Sequence, residues 1–336
     1  MSENNSKRIG FIDSMRGFTM FLVVYHHICS WIFPIDSTIE DVFTKFMMPL
    51  FFFISGLMVY TQRPYKEWIN KKFKTRLLNQ FLPTFFTGFL FYRFASLDVK
   101  ESFFAPEKEG YWFTLVLFGI FIFYLFLTVV FEKIKFSKFK QLVAFIVVML
   151  ISFYLYKYLR QTGLYKNRLM GLFCIDIIVR YTFYFILGVI CRMYLSDFQK
   201  LVANKYFNLC CLAAFVLCYF YYMNYYILAC TGIFIVYHIF EYNKDFFSNS
   251  TSFGKMLGYV GRNTLPIYFL HYFILRGLYS IGDNNFLELL SNNWYIELLA
   301  CSSLAILIIA ATLVLNKVIE SFSLLHVLMF GPKLKK

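Results

Sequence analysis

Apolar runs long enough to cross a bilayer alternate with short polar loops along this chain of 336 residues. A helix rises about 1.5 Å per residue, so about 20 apolar residues span the hydrocarbon layer. Such runs fall at 11–33, 43–62, 78–95, 111–131, 141–159, 171–191, 206–223, 225–240, 259–278 and 295–316. The seventh and eighth abut at YYMNYY, where Asn224 has to turn the chain. The pattern predicts an all-α, polytopic integral membrane protein of about ten transmembrane helices, a single domain over residues 1–336. No internal repeat, heptad series or low-complexity linker is present.

The loops between the runs alternate in charge. Segment 63–77 carries Arg63, Lys66, Lys71, Lys72, Lys74 and Arg76, and segment 132–140 carries Lys133, Lys135, Lys138 and Lys140. The tail adds Lys333, Lys335 and Lys336. Acids gather in the first loop (Asp36, Glu40, Asp41) and the third (Asp98, Glu101, Glu107, Glu109). Basic loops stay on the cytoplasmic side, so both termini are expected there and the odd-numbered loops outside. The fifth loop, with Arg160, Lys166 and Arg168, is the exception. Lys7 and Arg8 before the first run suggest a leader, but Asp13 and Arg16 interrupt the run and no small-residue cleavage site follows, so it is expected to stay attached as the first span.

Composition agrees with the pattern. Residues are 60% hydrophobic and 15% charged, against about 45–50% apolar and about 25% charged in soluble domains. The net charge of +14 would suggest nucleic acid in a soluble protein. Here the charge sits in loops, where it sets orientation and attracts lipid head groups, and nucleic-acid binding is not expected. Most of the eight cysteines lie inside apolar runs, without CxxC or Cys/His ligand spacing. They read as small core residues, and no metal is expected.

The chemistry concentrates in the first run, RIGFIDSMRGFTMFLVVYHHICSWIF, which holds Asp13, Arg16, His26 and His27. Ionisable groups at membrane depth are costly unless partnered, and they mark functional sites. At about 100° per residue, Arg16 and His27 point within about 20° of each other, with a rise of about 16 Å. Asp13 lies about 60° to one side of Arg16, and His26 about 80° to the other. Asp13, Arg16 and His27 therefore share one polar stripe, from near the cytoplasmic end to beyond the midplane. His26 falls off it, and packing or an interhelical hydrogen bond is its expected role. A bland reading pairs Asp13 with Arg16 locally and leaves His27 on a carbonyl. Elsewhere, Asp176 and Arg180 are spaced for a structural ion pair, Arg93 and Arg276 are placed to snorkel, and His271 lies at a depth similar to His27.

These residues resemble the membrane-bound acyltransferase-3 family, whose members O-acylate cell-surface glycans. The marker is an Arg, ten residues, then a His in the first span after an Asp-containing approach: here Asp13, Arg16 and His27 in IDSMRGFTMFLVVYHH. FMMPLFFFISGLMVY is similar to the next span, ending in Ser55 and Gly56. FKTRLLNQFLP resembles the Arg-then-Pro approach to the third span through Arg76 and Pro83, although the spacing is longer than the family's usual one. YWFTLVLF around Trp112, YTFYFILGVI ending at Gly188, and NTLPIYFLHYFIL with Tyr268 and His271 continue the series in order. The chain closes shortly after the tenth run, so the appended extracellular hydrolase-like domain of some relatives is not expected.

The resemblance implies transfer of an acyl group, most simply acetyl from acetyl-CoA, from cytoplasmic acyl-CoA to a hydroxyl of a surface or secreted saccharide. It places the protein in a bacterial cytoplasmic (inner) membrane, in contact with lipid. His27 would act as general base or carry the acyl group briefly. Arg16, Lys72 and Arg76 would hold the CoA phosphates, and Asp13 would orient Arg16. His271, Tyr268 and Trp112 are candidates to meet the acceptor. The competing reading is a carrier or flippase for a saccharide or lipid-linked precursor, weakened by the lack of internal symmetry. Positive-inside bias alone also accounts for the basic loop.

Overall fold

A computed structural model describes residues 10–33, 37–62, 64–221, 224–278, 288, 290 and 293–332. Lys7, Arg8, Asp36, Arg63, Lys333, Lys335 and Lys336 of the charge pattern lie outside the described residues. The first elements are α1 (Gly10–His27), α2 (Thr38–Thr44), α3 (Met47–Val59), α4 (Tyr65–Arg76), α5 (Leu82–Phe94) and α6 (Val99–Phe104). They are followed by α7 (Trp112–Lys133), α8 (Lys138–Thr162), α9 (Arg168–Phe173), α10 (Ile175–Met193), α11 (Leu195–Ala203) and α12 (Lys205–Phe220). The rest are α13 (Tyr225–Tyr242), α14 (Ser252–Arg262), α15 (Thr264–Gly277), α16 (Trp294–Ser321) and α17 (Ser323–Phe330). No strand occurs among the described residues.

Five helices are long and apolar enough to cross a membrane by length and composition: Ile39–Val59, α7, α8, α13 and α16. Leu195–Ala203 and Lys205–Phe220 meet the same test together but are bent by 77°. Only 17% of the apolar window of α8 is buried within the protein, and Phe139, Val143, Ile146, Val147, Leu150 and Ile151 are exposed on it. A face that apolar is stable only against lipid or protein. The protein is an all-α membrane protein.

Helix ends follow from capping. Ser37, Asp98, Ser137, Asn167, Asn204, Asn224 and Thr251 each cap a helix by accepting a backbone N–H from its first turn. Asn224 thus does start a new helix, while Tyr222 and Met223 before it lie outside the described residues. Other predicted runs are broken where polar or strained residues fall. Run 259–278 divides at Asn263 into α14 and α15, and Pro266 sits in the first turn of α15, where its missing N–H costs nothing. Run 171–191 is interrupted at Cys174, whose φ of +52° ends α9 before α10 starts. Two π-helical segments, Ile28–Ile32 and Leu77–Phe81, directly follow His27 and Arg76. Such local widenings of a helix recur at functional sites.

The chain forms two compact units. The first comprises Met1–Ile54, Leu195–His271 and Leu278–Leu313. In it α1 packs against α14 through a glycine seam. A Cβ on Gly17 would meet the Leu257 carbonyl, and one on Gly261 would meet the Asp13 carbonyl, so neither position has room for a side chain. Small residues permit this close backbone approach inside a membrane. Ser14 adds hydrogen bonds to the carbonyls of Phe247 (2.6 Å) and Gly254 (3.2 Å).

The second unit comprises Ser55–Tyr194, Tyr272–Gly277 and Val314–Lys336. Gly56 lies against the backbone of Phe185 in α10, so the Ser-Gly end of the second run serves helix packing. Lys108, only 2% exposed, donates to the carbonyls of Phe103, Ala105 (3.4 Å) and Gly171 (3.1 Å), which joins the ends of α6 and α9. Its burial lowers the pKa of the ammonium from the usual lysine value. Asp176 meets Arg160 of α8 at 3.4 Å, an ion pair that crosses between helices.

Candidate active site

The polar stripe on α1 is matched, level by level, by the junction of α14 and α15. At the lower level, Asp13 is 2% exposed and its Oδ2 faces Nη1 of Arg262 at 3.9 Å. One turn further, Nη2 of Arg16 donates to Oγ1 of Thr264 at 2.9 Å. At the upper level the ring centroids of His27 and His271 lie 5.4 Å apart, tilted by 37°. Arg262, Thr264 and His271 ascend in the same order as Asp13, Arg16 and His27, so these parts of α1 and α15 run in the same direction.

The upper level is an aromatic and imidazole cluster. His27 also contacts Trp31 (5.9 Å between centroids) and His26 (5.0 Å), and Tyr268 lies 6.3 Å from His271. Trp31 belongs to the π-helical segment Ile28–Ile32, which puts it on the same side of α1 as His27 four positions earlier. His271 is fully buried, with Nδ1 2.9 Å from the carbonyl of Ile267. A carbonyl can only accept, so Nδ1 carries the hydrogen and the lone pair of neutral His271 is on Nε2. His27 is partly exposed, as a group acting on a diffusing substrate must be.

The same end of α1 holds two carboxylates that sequence inspection treated as loop charge or passed over. Nδ1 of His26 contacts Oε1 of Glu40 on α2, so His26 makes an interhelical bond. Glu297, 4% exposed in the first turn of α16, accepts from the hydroxyls of Tyr25 (2.8 Å) and Ser37. A lone acid inside the tenth apolar run was a legible signal, of the same kind as Asp13 in the first. Arg262, inside the run 259–278, carried the same signal and was passed over, whereas Thr264 had none, because a lone hydroxyl in an apolar run is common.

The remaining predicted site residues belong to the second unit. Nζ of Lys72 donates to the Val59 carbonyl at 3.0 Å, at the end of α3, and lies 4.6 Å over the Trp68 ring. Arg76 bonds Gln80 at 3.2 Å and stacks over Phe121 at 4.3 Å. Trp112, at the start of α7, stacks on Tyr181 at 5.5 Å with an interplanar angle of 12°. Arg276 donates to the Ala95 carbonyl just past α5 at 3.3 Å. Among the described residues no group of three or more His, Cys, Asp or Glu is arranged to hold a metal ion.

Residues 9–314 match the acyltransferase domain of the acyltransferase-3 family. This chain belongs to the acyltransferase-3 family. The match starts just before α1 and runs through most of α16, so Asp13, Arg16, His27, Arg262, Thr264 and His271 all lie inside this acyltransferase domain. No curated protein and no solved structure matches the chain. An acyltransferase needs a base near the attacking group and a means of holding the acyl donor. The acyltransferase domain places the imidazoles of His27 and His271 side by side at the upper level, and Arg16 on the same face of α1 below them.

Proposed function

We propose that this protein is an integral membrane O-acetyltransferase that moves the acyl group of cytoplasmic acetyl-CoA to a hydroxyl of a cell-surface or secreted saccharide. The protein would sit in the cytoplasmic membrane of a bacterium, with about ten spans and both termini inside. The observation that carries the reading is the two-level pairing of α1 with α15, Arg16 with Thr264 and His27 with His271, in an acyltransferase-3 chain.

In this reading His27 takes the hydroxyl proton as the oxygen attacks the thioester carbonyl. The C–S bond breaks, CoA leaves as thiolate and is protonated on the donor side, and the ester remains on the acceptor. Arg16, held by Thr264, and Arg76, held by Gln80 and Phe121, are cations suited to the CoA phosphates. Lys72 is a weaker candidate, because its ammonium already serves the end of α3. Asp13 and Arg262 hold the lower end of the stripe. Tyr268, Trp112 and His271 are candidates to contact the saccharide.

The test is reconstitution of the purified protein in vesicles with radiolabelled acetyl-CoA and a crude surface-glycan fraction. Release of CoA with label in the glycan, lost in His27→Ala and Arg16→Ala, is the expected result. Transfer that survives His27→Ala overturns the mechanism, and glycan movement without CoA release points to a carrier.

A further inference from the structure

The reading above leaves unused a second titratable constellation beside His27. The imidazole of His26 bonds Glu40 through Nδ1, and its ring centroid lies 5.0 Å from that of His27. The side chains of His26 and Glu40 retain 30% and 18% of their exposure, whereas His271 on the other side of His27 is fully buried. His26, like the partly exposed His27, therefore has a route to water, and it alone of the two has a carboxylate partner among the contacts described, which faces water with it.

Glu40 is held, not merely nearby. Its backbone N–H donates to Oγ of Ser37 at 2.8 Å, the cap of α2. The same hydroxyl reaches the buried carboxylate of Glu297, which also accepts from Tyr25 on α1. The bridge Tyr25–Glu297–Ser37 ties α2 to α1, and Glu40 rides on α2. A carboxylate accepting from Nδ1–H fixes the imidazole tautomer, leaves the basic lone pair on Nε2 and stabilises the imidazolium formed there. This is the role of the acid in serine-hydrolase triads.

We propose that the Glu40–His26 pair is the proton outlet of the acyl transfer: the hydroxyl proton collected by His27 passes to His26 and leaves to water on the acceptor side. Rings at this separation put nitrogens within reach of each other directly or through one water. The balance closes. The acceptor O–H loses one proton to His27, His27 returns to its neutral form by giving that proton to His26, and His26 releases it outside. The thiolate of CoA takes its own proton from the cytoplasmic side. Each turnover then releases one proton on one face and takes up one on the other. Both residues are positioning and relay groups, acting through His27 and not on the reacting atoms. The inference rests on the assignment of His27 as the base.

Steady-state kinetics of the reconstituted full chain test this, with acetyl-CoA and the glycan acceptor, over a range of pH. The charged and titratable groups facing His26 are Glu40 from α2, His27 beside it on α1, His271 of α15 beyond His27, and Glu297 of α16 behind Ser37. Glu40→Gln and His26→Gln are expected to lower kcat by about 10²-fold with KM for acetyl-CoA unchanged, and to alter the pH profile of the activity that remains. Glu40→Asp restores most of kcat, and free imidazole in the outside buffer rescues His26→Ala. Wild-type kcat and pH profile in Glu40→Gln and His26→Gln, beside an inactive His27→Ala, overturn the relay alone. Loss of activity without a change of profile, and without rescue by Glu40→Asp or imidazole, overturns it too, because the pair is then only a tie between helices. An active His27→Ala removes the assignment of the base and the relay with it.

Discussion

Arg16 illustrates how a single residue here is decided by its neighbour. A guanidinium at membrane depth needs an acceptor, and Thr264 provides one at 2.9 Å on a different helix. A hydrogen bond to a charged group contributes about 1.5–3 kcal/mol. Thr264→Val is therefore expected to lower kcat/KM of acyl transfer by about 10- to 100-fold, with Thr264→Ser close to wild type. Equal loss in both variants would mean that the position matters for packing and not for its hydroxyl. The Asp13–Arg262 pair makes a different prediction. Arg262→Ala removes one cation that faces the buried carboxylate of Asp13, and breaking a buried pair outright costs about 3–5 kcal/mol. At 3.9 Å and with Arg262 partly exposed, the effect should fall below that range, and Asp13→Asn combined with Arg262→Ala should recover part of it. Thermal unfolding in detergent measures both.

Among the elements, α14 and the segment joining α6 to α9 carry more than their lengths suggest. The α1–α14 seam works because Gly17 and Gly261 let two backbones touch. Gly261→Ala places a methyl where the Asp13 carbonyl lies, so α14 must shift and carry Arg262 and the start of α15 with it. A loss of about 1–3 kcal/mol in stability is expected, together with reduced acyl transfer. Unchanged unfolding in Gly261→Ala would show that the seam is looser than described. Lys108 is the second case: its ammonium serves three carbonyls at the ends of α6 and α9. Lys108→Met removes all three donors while retaining the chain's bulk. Stability should drop by at least the 1–3 kcal/mol expected for leaving a buried polar group without a partner. A melting temperature equal to wild type would count against that role.

For the molecule as a whole, the alternation of basic and acidic loops makes a directional statement. Loop 63–77 faces the cytoplasm and loop 98–110 the outside, if charge sets the orientation. In a background lacking the exposed Cys210, a cysteine at Asp98 should react with an impermeant thiol reagent added to intact cells, and one at Lys71 should react only after lysis. The reverse pattern would invert the topology and with it the donor and acceptor sides. Membership of the acyltransferase-3 family and the lipid-facing surface of α8 hold in either orientation.

The amino-acid sequence by itself determined the membrane class, the helical content and the stripe of Asp13, Arg16 and His27, and five of its ten runs coincide with helices long and apolar enough to cross a membrane. These follow from local quantities, hydropathy over about 20 residues and the helical period, which need no partner to be read. It also carried the spacing by which the family resemblance could be seen. Only the tertiary structure decided which groups meet the stripe. Thr264 and Arg262 stand some 250 positions further on, and nothing in their own neighbourhood announces that α14 and α15 return to α1. His26 shows the limit of the helical wheel most clearly. Its angle takes it off the stripe, and that angle cannot show that α2 folds back to set Glu40 against it. Partners at long sequence separation are chosen by packing, here by glycines that let α14 approach and by the Tyr25–Glu297–Ser37 bridge that holds α2.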